Sequence, residues 1–136
     1  MRIVIDTNVI ASAIFFGGAP REVVSLLMKN SLQAYATKEI LDEYKETFEY
    51  LVSKYPAKPA GMPLAQILNA CQVIEKQSDV RICRDPADNK FIGCALDAKA
   101  MYIVSGDKDL LVLQRYKDID IVTVRDFLEK FSEFES

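Results

Sequence analysis

The sequence contains no histidine. That absence removes Ser-His-Asp and Cys-His catalysis, imidazole acid–base chemistry and every histidine-ligated metal site. Its three cysteines, Cys71, Cys83 and Cys94, are odd in number and show no C-x-x-C spacing. This argues against a disulfide framework or a zinc site, and each reads better as a small buried hydrophobe. No stretch approaches the ~20 apolar residues of a membrane span. The apolar N-terminus carries Asp6 early and has no small-residue cleavage site after an apolar core, so no secretory signal is expected and a cytoplasmic location is. Neither G-x-G-x-x-G nor G-x-x-x-x-G-K-[ST] is present, so Gly17-Gly18 does not mark a phosphate loop. There is no internal repeat and no low-complexity segment. Catalysis, if any, is left to carboxylates, hydroxyls, Lys, Arg or a hard metal held by oxygen.

What is present suits one ordinary globular domain spanning residues 1–136. Half the residues are hydrophobic and 27% are charged, the range of a soluble globule. Seventeen Lys and Arg against twenty Asp and Glu leave a net charge of −3, with a pI near 5.0. A general basic footprint for nucleic acid is absent. A polyanionic substrate would therefore need local Lys and Arg, or bound cations, to offset the acids.

The chain is organised around Arg2-Ile3-Val4-Ile5-Asp6-Thr7-Asn8-Val9. Ile3 to Ile5 is a continuous β-branched run, as in a strand buried on both faces. It stops at Asp6, ahead of a short helix over Val9–Phe15. A carboxylate at the carboxyl end of a buried strand lies where open α/β sheets bind ligands. Read alone, Asp6 or Asn8 serves equally as a helix cap. Pro20 then opens a second helix, Arg21–Lys29, and Leu32–Ala36 reads as a second strand. Thr37 caps a long third helix whose apolar stripe runs through Ile40, Leu41, Tyr44, Phe48, Leu51, Val52 and Tyr55. Of its acids, Glu43 falls nearest the stripe edge at ~100° per residue, and spacing alone leaves it on the surface.

Residues 55–63 form a Pro/Gly-rich loop within the domain, before a fourth helix over Leu64–Lys76. Val80–Cys83 reads as the third strand. Asp85 before Pro86 suits an N-cap, with Asp88 at the capping-box position. Asp88 nevertheless projects to the same side as buried-type Phe91, an unusual place for an acid. Met101–Val104 is a fourth strand ending at Ser105-Gly106-Asp107-Lys108-Asp109, followed by a short helix over Leu110–Leu113. Asp120–Val122 is a fifth strand, and Thr123 caps a last helix with residues 132–136 expected to fray. Alternation of strand and helix predicts a parallel sheet covered on both faces, with all strand carboxyl ends on one side.

Each acid is a weak signal by itself, but Asp6, Glu43, Asp88 and Asp107 converge on one sheet edge, with Asp109 just beyond. Unneutralised, such a group repels itself and raises its own pKa values. One or two hard divalent cations, Mg²⁺ or Mn²⁺, resolve the conflict. Two such ions ~3.5–4 Å apart would clamp the attacking and leaving oxygens of a phosphodiester displacement. Asn8 and Ser105 are suited to hold a carboxylate or water by hydrogen bonds.

Four segments together carry a resemblance: Asp6-Thr7-Asn8-Val9, Leu41-Asp42-Glu43, Asp85-Pro86-Ala87-Asp88-Asn89-Lys90-Phe91, and Val104-Ser105-Gly106-Asp107-Lys108-Asp109-Leu110-Leu111. In combination they resemble the PIN-domain family, and most of all the small prokaryotic VapC-like toxin ribonucleases. The resemblance implies a three-layer fold with a five-stranded parallel sheet in 3-2-1-4-5 order, and a Mg²⁺- or Mn²⁺-dependent nuclease acting on RNA. It implies that Asp6, Glu43, Asp88 and Asp107 are the acidic quartet, with Asp6, Asp88 and Asp107 on metal and Asn8, Ser105 and Asp109 in support. It moves Glu43 from surface to site. Ser-Gly-Asp stands where Thr-Gly-Asp or Thr-Arg-Asn is frequent, which keeps the hydroxyl. Arg84, Lys90 and Lys108 lie beside the acidic motifs, and Arg21 lies near the first turn; these are candidate RNA phosphate contacts or equally ordinary solvated charges. The resemblance further implies a homodimer and a partner antitoxin. A non-catalytic PIN-like module that binds RNA or protein, and an RNA-processing nuclease outside toxin–antitoxin pairs, are the alternatives. Asn8 in place of a second acid argues against a dehalogenase-type phosphatase, and Lys108 after the fourth strand argues against a receiver domain.

Overall fold

A computed structural model describes residues 1–135. The chain runs β1 (Arg2–Ile5), α1 (Thr7–Phe15), α2 (Gly18–Met28), β2 (Gln33–Ala36), α3 (Lys38–Lys54), α4 (Leu64–Ala70) and β3 (Gln72–Val73). A 3-10 turn (Pro86–Asp88) then leads into α5 (Asn89–Ala98), β4 (Tyr102–Val104), α6 (Lys108–Leu111), β5 (Arg115–Tyr116), β6 (Ile119–Val122) and α7 (Val124–Glu135). The sheet order is β3-β2-β1-β4-β6-β5. All neighbours pair in parallel except β5 with β6.

β1 is the central strand because its sequence can be buried on both sides. Successive strand residues point to opposite faces, and Ile3, Val4 and Ile5 are all 0% exposed. Helix α5 packs across β1, β2 and β4, bringing Phe91, Ile92, Cys94 and Ala95 into the core. Phe127 of α7 is fully buried and meets Tyr102 edge-on at 5.7 Å. The expected caps are formed: Thr37 Oγ1 accepts from Ile40 N–H at 3.3 Å, and Thr123 Oγ1 from Asp126 N–H at 3.1 Å. Between α1 and α2 the chain turns by 101°. Gly17 and Gly18 sit there at φ 77° and 67°, where a side chain would be strained. No single helix among the described residues is long and apolar enough to cross a membrane.

Five strands in 3-2-1-4-5 order are present, but the sheet has a sixth. Arg115–Tyr116 folds back on β6 through a turn at Lys117-Asp118 and covers its free edge. The third strand is also displaced from its expected place at 80–83. Helix α4 stops at Ala70, six residues short of the expected end, and Gln72–Val73 pairs with Tyr35–Ala36. No Gly or Pro separates the two elements, so only the open edge of β2 decides where helix yields to strand. Residues 80–83 lie outside the sheet instead. The Asn89 side chain accepts from the backbone N–H groups of Ile82 and Cys83 at 3.2 and 2.9 Å, in place of a ladder partner. Helix α7 does not fray from residue 132 but continues to Glu135; position 136 lies outside the described residues.

Candidate active site

Strand β1 delivers Asp6 to the sheet edge, and its backbone N–H still donates to Val104 O at 2.9 Å. The carboxylate is buried and accepts from Ser105 Oγ–H at 2.6 Å through Oδ2. Ser105 Oγ in turn accepts from Asp107 N–H at 2.9 Å. One hydroxyl thus ties the end of β1 to the loop after β4. Burial raises the Asp6 pKa; Ser105 and the Thr7 backbone oppose the shift, while Asp107 and Glu43 add to it. Tyr44 OH donates to the Ile5 carbonyl and fixes α3 against the same strand end.

Helix α3 carries Glu43 one to two turns from its start. Thr7 Oγ1–H donates to Glu43 Oε1 at 2.7 Å, and Lys90 Nζ lies 2.5 Å from Oε2. The Lys90 side chain is only 12% exposed and also donates to the Ala87 carbonyl. Lys90 is therefore turned inward as the counter-charge of Glu43 and is not held out toward solvent.

The 3-10 turn Pro86–Asp88 exists because Asp85 caps it, accepting from Ala87 N–H at 3.0 Å through Oδ1. Asp88 makes no capping bond to α5. It is buried, and its Oδ2 has no hydrogen-bond partner among the described residues. An unsatisfied buried carboxylate oxygen is costly. Burial is the main reason its pKa rises to about 7, followed by the charge of Asp107, a hydrogen bond shared with Asp107, and the charges of Asp85 and Asp6. Only a proton or a cation can satisfy two carboxylates that face each other.

A second group overlaps the first: ligand oxygens of Asp85, Asp88 and Asp109 lie within 4.8 Å of one another. Asp109 N–H donates to Asp107 Oδ1 at 2.8 Å, and Arg84 pairs with Asp109 at 2.9 Å. Cys83 reports the combined field. Burial first, then Asp88, Asp107, Asp85 and Asp109, push its thiol up to about 11. Burial likewise raises Cys71 to about 11 and Cys94 to about 12, so none of the three is poised as a thiolate.

The structure thus gathers Asp6, Glu43, Asp88, Asp107 and Asp109 into one electrostatic neighbourhood, with Ser105 bridging Asp6 and Asp107. Asn8 is exposed and lines a depression together with Ser105 and Gly106 of the loop after β4. Of the four candidate phosphate contacts, Arg84 and Lys90 are engaged by Asp109 and Glu43. Lys108 is exposed and makes no ion pair among the described residues. Arg21 donates to the carbonyls of Ala13 and Ile14 at 2.8 and 3.1 Å and closes the end of α1. Asp85 is the residue that sequence reasoning missed as a site acid. Its cap role masked it, although the Asp85-x-x-Asp88 spacing sets both acids on one side of a helical turn.

An orphaned buried oxygen, an all-carboxylate donor set and mutual repulsion fit a hard divalent cation. Comparisons with known proteins agree with this chemistry. The family model described as PIN domain matches residues 2–109, the span that holds every acid of the site. An uncharacterized protein of Methanocaldococcus jannaschii is 33% identical over 149 residues, covering 98% of this chain and 94% of its own. No solved structure matches the chain. PIN domains are generally nucleases that use divalent metals. A family match across four-fifths of the sequence, on a parallel sheet with converging acids, shows that this chain belongs to the PIN domain family.

Proposed function

We propose that this protein is a Mg²⁺- or Mn²⁺-dependent endoribonuclease that hydrolyses RNA phosphodiester bonds. The observation that carries the reading is Asp88: a buried carboxylate facing Asp107, with one oxygen unsatisfied, beside Asp6 held by Ser105. Asp6, Asp88 and Asp107 would hold the ion, with Asp85 and Asp109 completing the donor set. When bound, the ion would neutralise these acids, polarise the scissile phosphate and activate water, which answers the lack of histidine. The chain's own residues prepare the site. Ser105 fixes the Asp6 carboxylate and the Asp107 backbone together. Thr7 and Lys90 hold Glu43 in place. Lys108, exposed beside Asp107, is free to meet a substrate phosphate and set its position without reading its base.

We place the enzyme as the toxin component of a toxin–antitoxin pair, acting as a homodimer under the control of a cognate antitoxin. A short reading frame beside the gene, encoding a DNA-binding fold with a disordered tail, would support that role over housekeeping RNA processing. The activity itself is tested with labelled single-stranded RNA and purified protein. Cleavage that requires Mg²⁺ or Mn²⁺, stops with chelator and is abolished by Asp6→Asn or Asp88→Asn is the expected result. Chelator-insensitive cleavage, or full activity in either variant, overturns the reading.

A further inference from the structure

None of the protein's acids falls within residues 7–21 or 50–74, although acids outnumber Lys and Arg by 20 to 17 in the whole chain. These two stretches meet at the far ends of α1 and α3. Phe15 and Phe48 pack at a tilt with ring centroids 5.5 Å apart and hold the helices side by side. The loop after α3 is locked on as well: Gly61 N–H donates to Ile14 O at 2.8 Å, beside the Arg21 guanidinium that closes α1. A Cβ at Gly61 would lie 2.2 Å from Arg21 Nη2, so the loop seats closely.

This acid-free end presents aromatic rings and lysines to solvent. Phe16 and Tyr50 are each 60% exposed and Tyr55 is 41% exposed. Lys54 Nζ sits 5.6 Å from the Tyr50 ring centroid and 5.4 Å from that of Tyr55, hydrogen-bonded to both side chains; Lys58 Nζ sits 4.9 Å from the Phe16 ring centroid. Rings that sit beside cations present both a stacking face and a phosphate partner.

The patch is continuous with the acidic site. Glu43, Thr47, Tyr50 and Lys54 follow i, i+4, i+7, i+11 and share one face of α3. At 1.5 Å per residue, Tyr50 stands ~10 Å along the helix from Glu43, about three stacked nucleotides of a single strand. Glu46 and Glu49 border this stripe on one side, which directs a polyanion to the acid-free side.

We propose that Phe16, Tyr50, Lys54, Tyr55 and Lys58 form a stacking platform for the unpaired RNA strand that leads away from the acidic site. The proposal rests on the ribonuclease reading and adds where the strand runs: over this patch, several nucleotides beyond the cleaved bond. Rings take bases of any sequence and lysines take phosphates, so the platform confers length dependence without base preference. Duplex RNA keeps its bases stacked on each other and gains nothing there.

The test is equilibrium binding of fluorescein-labelled oligouridylates of about three and about ten nucleotides to the full chain in chelator, at low salt. The longer probe is expected to bind more tightly than the shorter one. The Tyr50→Ala/Tyr55→Ala double variant is expected to weaken the longer probe by about tenfold or more, and Tyr50→Phe to retain its affinity. Melting curves of the variants are expected to match the parent, since both tyrosines are exposed. Ten-mer affinity unmoved by the double variant overturns the platform, whether or not RNA is cleaved. A change in sedimentation behaviour on the same substitutions also overturns it, because the surface then joins copies of this chain. Platform-dependent binding with no cleavage in any divalent metal refutes the ribonuclease reading and leaves the platform standing.

Discussion

Replacing Asp88 by Asn should stabilise the metal-free protein, and the gain should depend on pH. The folded-state pKa of Asp88 is raised from 3.8 to about 7, by burial first and then by Asp107. A carboxyl whose pKa is raised on folding favours the protonated state in the fold. The ionised form therefore destabilises the protein increasingly as pH rises from 3.8 toward 7, and fully above that. Each pKa unit corresponds to ~1.4 kcal/mol, which sets an upper bound of about 4 kcal/mol. Water reaching the pocket reduces this, and about 2 kcal/mol is the expected cost near pH 8. Asn carries no charge to desolvate, and its amide N–H can donate to Asp107. In chelator the variant should melt roughly 5–15 °C higher than the parent near pH 8. Below the unfolded pKa the two should coincide. Mg²⁺ should raise the melting temperature of the parent far more than that of the variant, since a cation relieves the same repulsion. Calorimetry or circular dichroism in chelator reads all of this. A melting difference of equal size at both pH values, or a variant less stable than the parent near pH 8, refutes the argument.

Other outcomes follow from single contacts. Lys90→Met leaves half-buried Glu43 with only Thr7 as partner. It should cost about 1–2 kcal/mol in chelator and add a divalent ion to the stoichiometry measured by isothermal titration, because Glu43 is released. Ser105→Ala removes the donor to buried Asp6 and the acceptor of Asp107 N–H. Divalent-ion affinity should fall about 10- to 100-fold, read by the same titration. Gly61→Ala drives the Arg21 guanidinium from its place against α1. It should cost about 1–3 kcal/mol by denaturant melting, and Arg21→Ala should add nothing in that background.

The sequence by itself determined the central strand, the parallel sheet and the acids that gather at its edge. Ile3-Val4-Ile5 has no exposed side to offer, so it could only become a strand with both faces covered. The Thr37 and Thr123 caps were also legible, because each bonds to a backbone three residues away. Only tertiary structure decided which part of residues 64–83 became the third strand. The local pattern reads as helix through Lys76 and strand at Val80–Cys83, but the segment that reached the open edge of β2 was Gln72–Val73. The site divides in the same way. Asp6 and Asp107 follow strand ends that the local pattern places, whereas Asp88 follows no strand and owes its place to the turn that Asp85 caps before α5. The fate of the cations was not a local matter. Whether Lys90 meets RNA or Glu43, and whether Arg84 meets phosphate or Asp109, depends on side chains brought together from distant parts of the chain. Charge acts through space, and spacing along the sequence does not measure that distance.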